Sequence, residues 1–371
     1  MADSRPSDRE RSYLRLACRL ARKAAGRTSP NPIVGAVLVR GGRIVGSGYH
    51  KFAGGDHAEI IALKQAGARA KGATLYITLE PCSHYGRTPP CAEALARSGI
   101  KAVVAGMSDP NPLVAGRGFK ILRRAGIEVQ TGVCESECRE LLEAFSKFIT
   151  RRVPFVMLKL AATLDGKIAA ASGDSKWISG AQSRKLVHRW RNEMDAVLVG
   201  AATVCADNPQ LTCRIAGGRD PYRVVLDGRL SIPLTSQLLR QKNPQKTIIA
   251  TIAKTPAAKV RAKVRAIEAL GAQVWRLPAR EGQVAWQPLL IKLAAQGIVS
   301  VLIEGGAAVA ASALKQKIVD KVAFFYAPKI IGGDGLAMID GLAIGKMARA
   351  IEVKRLNLRK SGNDFLMTGY L

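Results

Sequence analysis

The chain has 371 residues, more than one compact domain usually contains, so two domains are the first expectation. Hydrophobic residues make up 48% of it and charged residues 23%, and no apolar run approaches the roughly eighteen residues of a membrane-spanning helix, which excludes that class of protein. The formal charge of +29 is spread over both halves. Residues 1–150 contain 23 basic and 13 acidic residues, and residues 151–371 contain 34 basic and 15 acidic residues. This distribution disfavours nucleic-acid binding and favours attraction of anionic small molecules.

Seven cysteines, an odd number in a long chain, argue against a disulfide framework and favour metal ligation by any clustered pair. The first twenty residues mix acidic residues and arginines with apolar ones. They lack both the apolar core and the small-residue cleavage site of a signal peptide. We therefore expect a cytoplasmic protein.

The first 133 residues alternate between helical and strand patterns. Apolar residues at helical spacing predict a helix over 11–25, and short apolar runs predict strands at 33–39 and 44–50. The elements predicted next are a helix at 58–70, a strand at 73–82, a helix at 91–99, a strand at 101–110, a helix at 119–126 and a strand at 127–133. Such alternation is typical of an α/β sandwich.

A helical segment at 134–149 and a basic turn follow, and we place a domain boundary near residue 150, giving domains of 1–150 and 151–371. The second domain is also predicted to be α/β, because apolar strands recur between stretches that can form helices. Its predicted strands are 155–162, 195–200, 222–228, 246–251, 272–278, 299–306 and 321–330.

Three potential metal ligands occur near two predicted helix starts. His57 stands before one helix, and Cys82 and Cys91 lie in the segment that leads into the next. One imidazole and two thiolates leave the fourth position of a zinc ion open for water, and the softness of this set favours zinc over iron. Glu59 is not needed as a ligand, so its carboxylate can carry a proton from that water to a leaving amine. This is the pattern of nucleobase deaminases.

The distance between the two cysteines distinguishes this chain from ordinary nucleobase deaminases, which keep two residues between them. Here eight residues intervene, and Pro81–Cys91 (PCSHYGRTPPC) closely resembles the signature of the riboflavin-pathway diaminohydroxyphosphoribosylaminopyrimidine deaminases. Further segments that resemble this family are 28–32 with 34–35, and 109–112 with Gly116 and Gly118. The resemblance implies a cytidine-deaminase-like α/β/α sandwich for the first domain.

The same resemblance implies roles for individual residues. Those placed at the metal and the reaction are His57, Cys82 and Cys91 as zinc ligands and Glu59 as the catalytic residue. Those placed at the phosphorylated pyrimidine substrate are Asn31, His84, Asp109 and Asn111, which fall in loops that follow strands or join helices. For these four, a turn or capping role is an alternative that the sequence leaves open.

The second domain carries short polar motifs. They are 159–169, 172–179 with its Trp177, Arg191 with Asp195, Thr203, 207–214 and 302–306. The last motif ends a strand with Gly305 and Gly306 and opens a helix of small residues, where backbone amides and the helix dipole can bind a phosphate. No G-x-G-x-x-G fingerprint follows a strand, which disfavours a Rossmann domain.

As an ordered set, these segments resemble the riboflavin-specific reductase domain, whose fold is similar to dihydrofolate reductase. The residues that the resemblance places at NADPH are Ala161, Trp177, Thr203, Asp207, Gly306, Ala307, Ala308, Val309, Ala310, Ala311 and Ser312. Those that it places at the substrate are Lys159, Ser175, Arg191, Leu211, Arg214 and Glu304. The sequence does not identify the proton donor, for which Lys159 and Glu304 are candidates.

Together the two resemblances cover nearly the full length and imply a bifunctional riboflavin-pathway enzyme. Its first domain would hydrolytically deaminate 2,5-diamino-6-(5-phosphoribosylamino)pyrimidin-4-one. Its second would use NADPH to reduce the ribosyl chain of the product, 5-amino-6-(5-phosphoribosylamino)uracil, to ribityl. The resemblance also implies a homo-oligomer, either a dimer or a tetramer.

Two other interpretations remain open. A nucleoside or RNA deaminase with a carboxy-terminal recognition domain is favoured only by the charge, and it predicts RNA-dependent activity without NADPH binding. A structural zinc site in an RNA-binding protein predicts a closed site with four protein ligands and leaves Glu59 without a role.

Overall fold

The computed structural model describes residues 6–84, 90–112, 114–252 and 258–371. The chain divides into two compact units, Met1–Arg152 and Val153–Leu371. Each unit has its own sheet and its own buried core. Among the described residues, no helix combines the length and the apolar character needed to cross a membrane.

The first unit is built on a five-stranded sheet. Its strands are β1 (Gly35–Arg40), β2 (Arg43–Tyr49), β3 (Thr74–Ile77), β4 (Ala102–Ala105) and β5 (Glu128–Thr131), and their order is β2-β1-β3-β4-β5. Strand β1 is antiparallel to β2 and β3, whereas β3, β4 and β5 are parallel. Because the carboxyl ends of parallel strands meet at one edge, the loops after β3 and β4 leave the sheet side by side.

Six α-helices lie in the described part of this unit. They are α1 (Asp8–Arg22), α2 (Ala58–Ala66), α3 (Cys91–Ala96), α4 (Arg117–Arg124), α5 (Glu135–Leu141) and α6 (Glu143–Arg151). Leu38 and Ile77 belong to a core shared with α2, α3 and α4, and the alternate residues Val37 and Tyr76 belong to a second core shared with α1 and α5. Helices on both faces of the sheet confirm the predicted α/β/α sandwich.

The second unit contains a nine-stranded sheet with two small two-stranded sheets. Its strands are β6 (Phe155–Thr163), β7 (Lys167–Ala169), β8 (Ala196–Gly200), β9 (Tyr222–Leu226), β10 (Thr247–Ile252), β11 (Gln273–Leu277), β12 (Ala279–Arg280), β13 (Gln283–Val284), β14 (Ser300–Ile303), β15 (Lys321–Ala327), β16 (Leu336–Ala337), β17 (Lys354–Ser361) and β18 (Asp364–Tyr370). The large sheet has the order β11-β10-β9-β8-β14-β6-β15-β18-β17 and is parallel from β11 to β15.

The described helices of this unit are α7 (Ala181–Glu193), α8 (Ala201–Asp207), α9 (Ala258–Ala269), α10 (Trp286–Ala295) and α11 (Ala307–Lys315). Strands β8 and β14 are buried at every position, which is why they read as continuous apolar runs. Trp286 of α10 and Ala310 of α11 pack into the same core as these strands. The α/β architecture predicted for the second domain is confirmed.

Several elements differ from the sequence prediction, including the following three. The predicted helix over 134–149 is two helices, α5 and α6, which are separated by Leu142, a buried residue with a non-helical φ of −108° and ψ of 11°. The predicted strand at 73–82 ends at Ile77, so the residues before Cys82 form a loop. The hairpin of β17 and β18 was not predicted, because β17 is exposed along nearly its whole length and lacks an apolar run.

Candidate active sites

Two helix starts and one loop bring the three predicted zinc ligands together. His57 is the residue before α2, Cys91 is the first residue of α3, and Cys82 lies in the loop after β3. The Nδ1 atom of His57 is 3.1 Å from Sγ of Cys91 and 3.6 Å from Sγ of Cys82. All three ligand atoms lie within 4.8 Å of one another. One nitrogen and two sulfurs are a donor set of catalytic zinc sites.

The two thiols form a hydrogen-bonded pair. This bond and the contact with His57 outweigh burial and lower the pKa of Cys82 to about 4. The same bond, together with burial, raises the pKa of Cys91. Metal ions bind cysteine as the thiolate, so metal binding at this pair would release a proton.

Glu59 lies in the first turn of α2, next to this centre. Its side chain is only 3% exposed, and burial raises the pKa of its carboxyl group. Its Oε2 atom has no hydrogen-bond partner among the described residues. Since an unpaired buried carboxylate oxygen is costly, its presence beside the ligands suits a group that exchanges a proton with bound reactants.

A cavity of about 400 Å³ opens onto this centre and is lined by His57, Glu59 and Cys82. The four residues predicted at the substrate, Asn31, His84, Asp109 and Asn111, all line it as well. Residues 81–91, the cysteine segment, contain Cys82 and Cys91, and residues 85–89 of this segment lie outside the described residues. The structure thus brings residues from four separated stretches of the sequence around one space.

Several residues that line the cavity were not singled out from the sequence. They are His50, Glu80, Phe145, Phe148 and Ile149, among others. His50 donates from Nδ1 to the carbonyl of Asp56 at 3.0 Å, so its Nε2 can accept the amide hydrogen of Asn31 at 3.2 Å. The three apolar residues recur at one face of α6, a spacing visible in the sequence that predicts a helix face but not a cavity wall.

In the second unit, two strand-to-helix turns meet at the carboxyl ends of the neighbouring strands β8 and β14. Gly305 and Gly306 have φ angles of +129° and +84°, and residues other than glycine rarely adopt these backbone conformations. A Cβ atom at Gly306 would lie 3.2 Å from Oγ1 of Thr203 in α8. Helix α11, which contains the predicted residues 307–312, starts at this turn. A backbone without side chains, which a ligand can approach closely, and the amino terminus of a helix suit the phosphate groups of a dinucleotide.

Beside these turns, Arg191 of α7 forms a two-point ion pair with Glu304. Its Nε and Nη2 atoms each lie 2.6 Å from a carboxylate oxygen, and its Nη1 donates to the carbonyl of Thr212 at 3.0 Å. Burial opposes ionisation of Glu304 and would raise its pKa. The charge and hydrogen bonds of Arg191, together with the charge of Lys159, outweigh this effect, so the pKa of Glu304 is lowered. Burial also lowers the pKa of Lys159, against the attraction of Glu304.

A second cavity, of about 280 Å³, adjoins this pair. The predicted residues that line it are Ser175, Trp177, Arg191, Asp207, Leu211 and Arg214. Trp177 is 62% exposed, and the guanidinium of Arg184 lies 4.7 Å from its ring centroid, so the aromatic residue forms part of an open wall rather than of the core. Ala161 lies in the central strand β6, opposite Phe325 of β15.

Comparisons with known proteins cover both units. A family model for the cytidine and deoxycytidylate deaminase zinc-binding region matches residues 7–107, and a model for the RibD C-terminal domain matches residues 154–367. The riboflavin biosynthesis protein RibD of Aquifex aeolicus is 45% identical over 96% of this chain and 97% of its own length. The RibD protein of Escherichia coli is 39% identical over 95% of this chain and 96% of its own length.

Solved structures agree with these relatives. RibD of Acinetobacter baumannii superposes with a TM-score of 0.86 and is 38% identical in sequence. A deaminase/reductase of Thermotoga maritima superposes with a TM-score of 0.85 and is 40% identical. Each comparison covers 98% of both chains. The predicted bifunctional enzyme and its zinc and NADPH cofactors are thereby confirmed, and the RNA-deaminase alternative is not favoured. The chain belongs to the RibD family of riboflavin biosynthesis proteins, which join a zinc-binding deaminase domain to a reductase domain.

Proposed function

We propose that residues 1–150 deaminate 2,5-diamino-6-(5-phosphoribosylamino)pyrimidin-4-one and that residues 151–371 reduce the product, 5-amino-6-(5-phosphoribosylamino)uracil, with NADPH. The Thermotoga relative is named for these two activities. The observation that carries the proposal for the first step is the shared cavity of His57, Glu59 and Cys82, into which the predicted substrate residues also face. A hydrolytic deaminase needs this combination of metal, proton carrier and pocket.

In the first step, Glu59 is the proton carrier and His57, Cys82 and Cys91 hold zinc. A bound zinc ion supplies water that loses a proton near neutral pH. Oε2 of Glu59 would take a proton from the attacking water, whose oxygen forms a bond to the ring carbon, and would pass it to the amine, so that the carbon–nitrogen bond breaks and ammonia leaves as a neutral molecule. Asn31, His84, Asp109 and Asn111 hold the pyrimidine ribotide in the cavity.

In the second step, the turns after β8 and β14 bind the cofactor. NADPH supplies the hydride. The residues that contact it are Ala161, Trp177, Thr203, Asp207 and Gly306–Ser312, and those that contact the ribosyl substrate are Lys159, Ser175, Arg191, Leu211, Arg214 and Glu304. Arg214 gives the cavity an exposed cation for the substrate phosphate, while Arg191 is oriented by Glu304. We also propose that the enzyme is cytoplasmic and a homo-oligomer.

The experiment that tests this function follows two products in one reaction. Zinc-loaded protein is incubated with the diaminopyrimidine ribotide and NADPH, and ammonia release and NADPH oxidation are recorded. Ammonia followed by NADPH consumption supports both steps. Ammonia without NADPH consumption would contradict the second step, and absence of both would contradict the proposal.

The substitution Glu59→Gln tests the division of labour. We expect deamination to fall by about 10²–10⁴-fold, because the carboxylate that carries the proton is lost. Zinc content, measured by metal analysis, and reduction of supplied deaminated substrate should stay at wild-type levels. The matched control Glu93→Gln, on α3 of the same unit, should leave both activities unchanged. Loss of both activities in a folded, zinc-loaded Glu59→Gln protein would contradict the assignment.

A further inference from the structure

Glu80 is a buried carboxylate in the first unit, 4% exposed, that stands directly before the cysteine segment. Its Oε2 atom accepts hydrogen bonds from the backbone amides of Asp109, at 3.0 Å, and Gly116, at 2.9 Å. Its Oε1 atom accepts those of Gly118, at 2.9 Å, and Phe119, at 3.3 Å. One side chain therefore binds four backbone donors at both ends of a loop and in the first turn of α4.

Glu80 is also held on the side of the cavity where the predicted zinc ligands lie. Its own amide donates to the carbonyl of Met107 at 3.0 Å, and it is followed by Pro81 and the zinc ligand Cys82. The start of α4 also touches this segment, because a Cβ atom at Gly118 would lie 2.1 Å from the carbonyl oxygen of Pro81. Only glycine permits that approach.

The loop that Glu80 holds carries two residues of the substrate cavity. Asp109 and Asn111 both line it, and the Oδ1 atom of Asp109 accepts the amide hydrogen of Asn111 at 2.8 Å. A continuous set of hydrogen bonds therefore links the zinc-ligand segment to the cavity wall through the carboxylate of Glu80. Its geometry sets how far that wall stands from the metal centre.

We propose that Glu80 is a positioning residue for deamination: its carboxylate fixes the segment of Asp109 and Asn111 against the cysteine segment, so that the pyrimidine ribotide is held at the reacting atoms. This inference rests on the proposed function. A carboxylate suits the task because both of its oxygens are acceptors only, and four N–H donors match their lone pairs. A neutral glutamine would turn an NH₂ group toward two of those donors.

Glu80→Gln tests the proposal in the full-length, zinc-loaded enzyme. Small displacements of positioning groups cost up to about a hundredfold in rate, so we expect kcat/KM for deamination to fall about 10- to 100-fold, chiefly through a higher KM. Zinc content and reduction of supplied deaminated substrate should match the wild type. The control is Asp227→Asn in the second unit, where a buried carboxylate likewise accepts the amides of Ser231 and Ile232 and the same charge is removed.

A purely structural role predicts a different result. Glu80→Gln would then be less stable, but at a temperature where it is folded its KM would equal that of the wild type, and this outcome overturns the proposal. Loss of zinc by the variant overturns it too. If Glu80→Gln does not fold, Glu80→Asp replaces it, because a carboxylate one methylene shorter keeps the charge but cannot reach all four amides, and a wild-type KM in that variant would also overturn the proposal. A wild type that releases no ammonia refutes the proposed function itself, and this inference falls with it.

Discussion

The ion pair of Arg191 and Glu304 is largely buried, with 12% and 6% of the two side chains exposed. Removing one charge of a buried pair leaves the other uncompensated, so we expect Glu304→Gln to lower the free energy of unfolding by about 3–5 kcal/mol. NADPH oxidation should also fall, because Arg191 loses its orientation, whereas ammonia release should not change. Denaturant unfolding and the two assays check this. Glu135→Gln, in an exposed pair with Arg139, is the control and should change stability by less than about 1 kcal/mol.

The same pair predicts a pH dependence. The folded pKa of Glu304 lies below its ordinary value of 4.5, so the charged carboxylate stabilises the folded state at every pH above that value. The contribution is lost as the pH falls through the folded pKa. The difference in unfolding free energy between wild type and Glu304→Gln should therefore be constant near neutrality and shrink below about pH 4. A difference that grows toward acid would contradict the assigned direction.

The sequence predicted single residues best where chemistry restricts the residue type. His57, Cys82 and Cys91 form the group expected from their spacing, because few other arrangements use one imidazole and two thiols beside helix starts. Glu80 gave no such signal, since its function depends on backbone amides that any sequence supplies. His50 was missed for a similar reason: its partners include the carbonyl of Asp56.

Among the structural elements, the turn between β14 and α11 supports a direct test. Gly306 has φ +84°, and an added Cβ would lie 3.2 Å from Oγ1 of Thr203. Gly306→Ala should therefore strain the turn and raise the KM for NADPH about tenfold, corresponding to about 1.4 kcal/mol, without changing deamination. Steady-state kinetics with varied NADPH measure the effect.

The control for this substitution distinguishes the effect of backbone strain alone from the effect of strain at the cofactor-binding turn. Gly282 has φ +74° in the turn between β12 and β13, and an added Cβ there would have no neighbour within 4 Å. Gly282→Ala should lower stability by a similar amount, about 1 kcal/mol, and leave the KM for NADPH unchanged. An equal rise in KM in both variants would show that the turn after β14 has no special part in cofactor binding.

Elements were predictable where burial imposes a pattern. The parallel strands β8 and β14 are largely apolar runs because both of their faces are covered, and each falls within a predicted strand, whereas β10 extends one residue beyond its predicted strand of 246–251. The break between α5 and α6 was not predictable, because Leu142 is drawn into the core by tertiary packing that local propensity does not report. Among the residues that the structure describes, strand β17 pairs only with β18, and it has little buried surface, so its sequence carries almost no strand signal.

For the whole molecule, length and the alternation of elements predicted two α/β units. The specific activities followed from the resemblance of the motifs to the riboflavin-pathway deaminases and reductases, and composition contains no such information. Basic residues exceed acidic ones in both halves, so the charge of +29 is distributed over the whole chain. A positive surface attracts phosphorylated substrates at long range, and this attraction weakens as salt rises.

The edge of the large sheet gives the last prediction, which concerns assembly. Strand β17 has β18 as its sheet neighbour, and Leu356 and Leu358 are 57% and 58% exposed on it. The edge of a sheet presents backbone groups that can pair with a second chain, and two-fold homodimers are the commonest oligomers, so we expect light scattering to give twice the chain mass or a multiple of it. Replacing both leucines with lysine should shift the protein to monomer, whereas Ile291→Lys, at an exposed position of α10, should not. A wild type that is monomeric at all concentrations, or a double variant that keeps the wild-type mass, would exclude this edge as the interface.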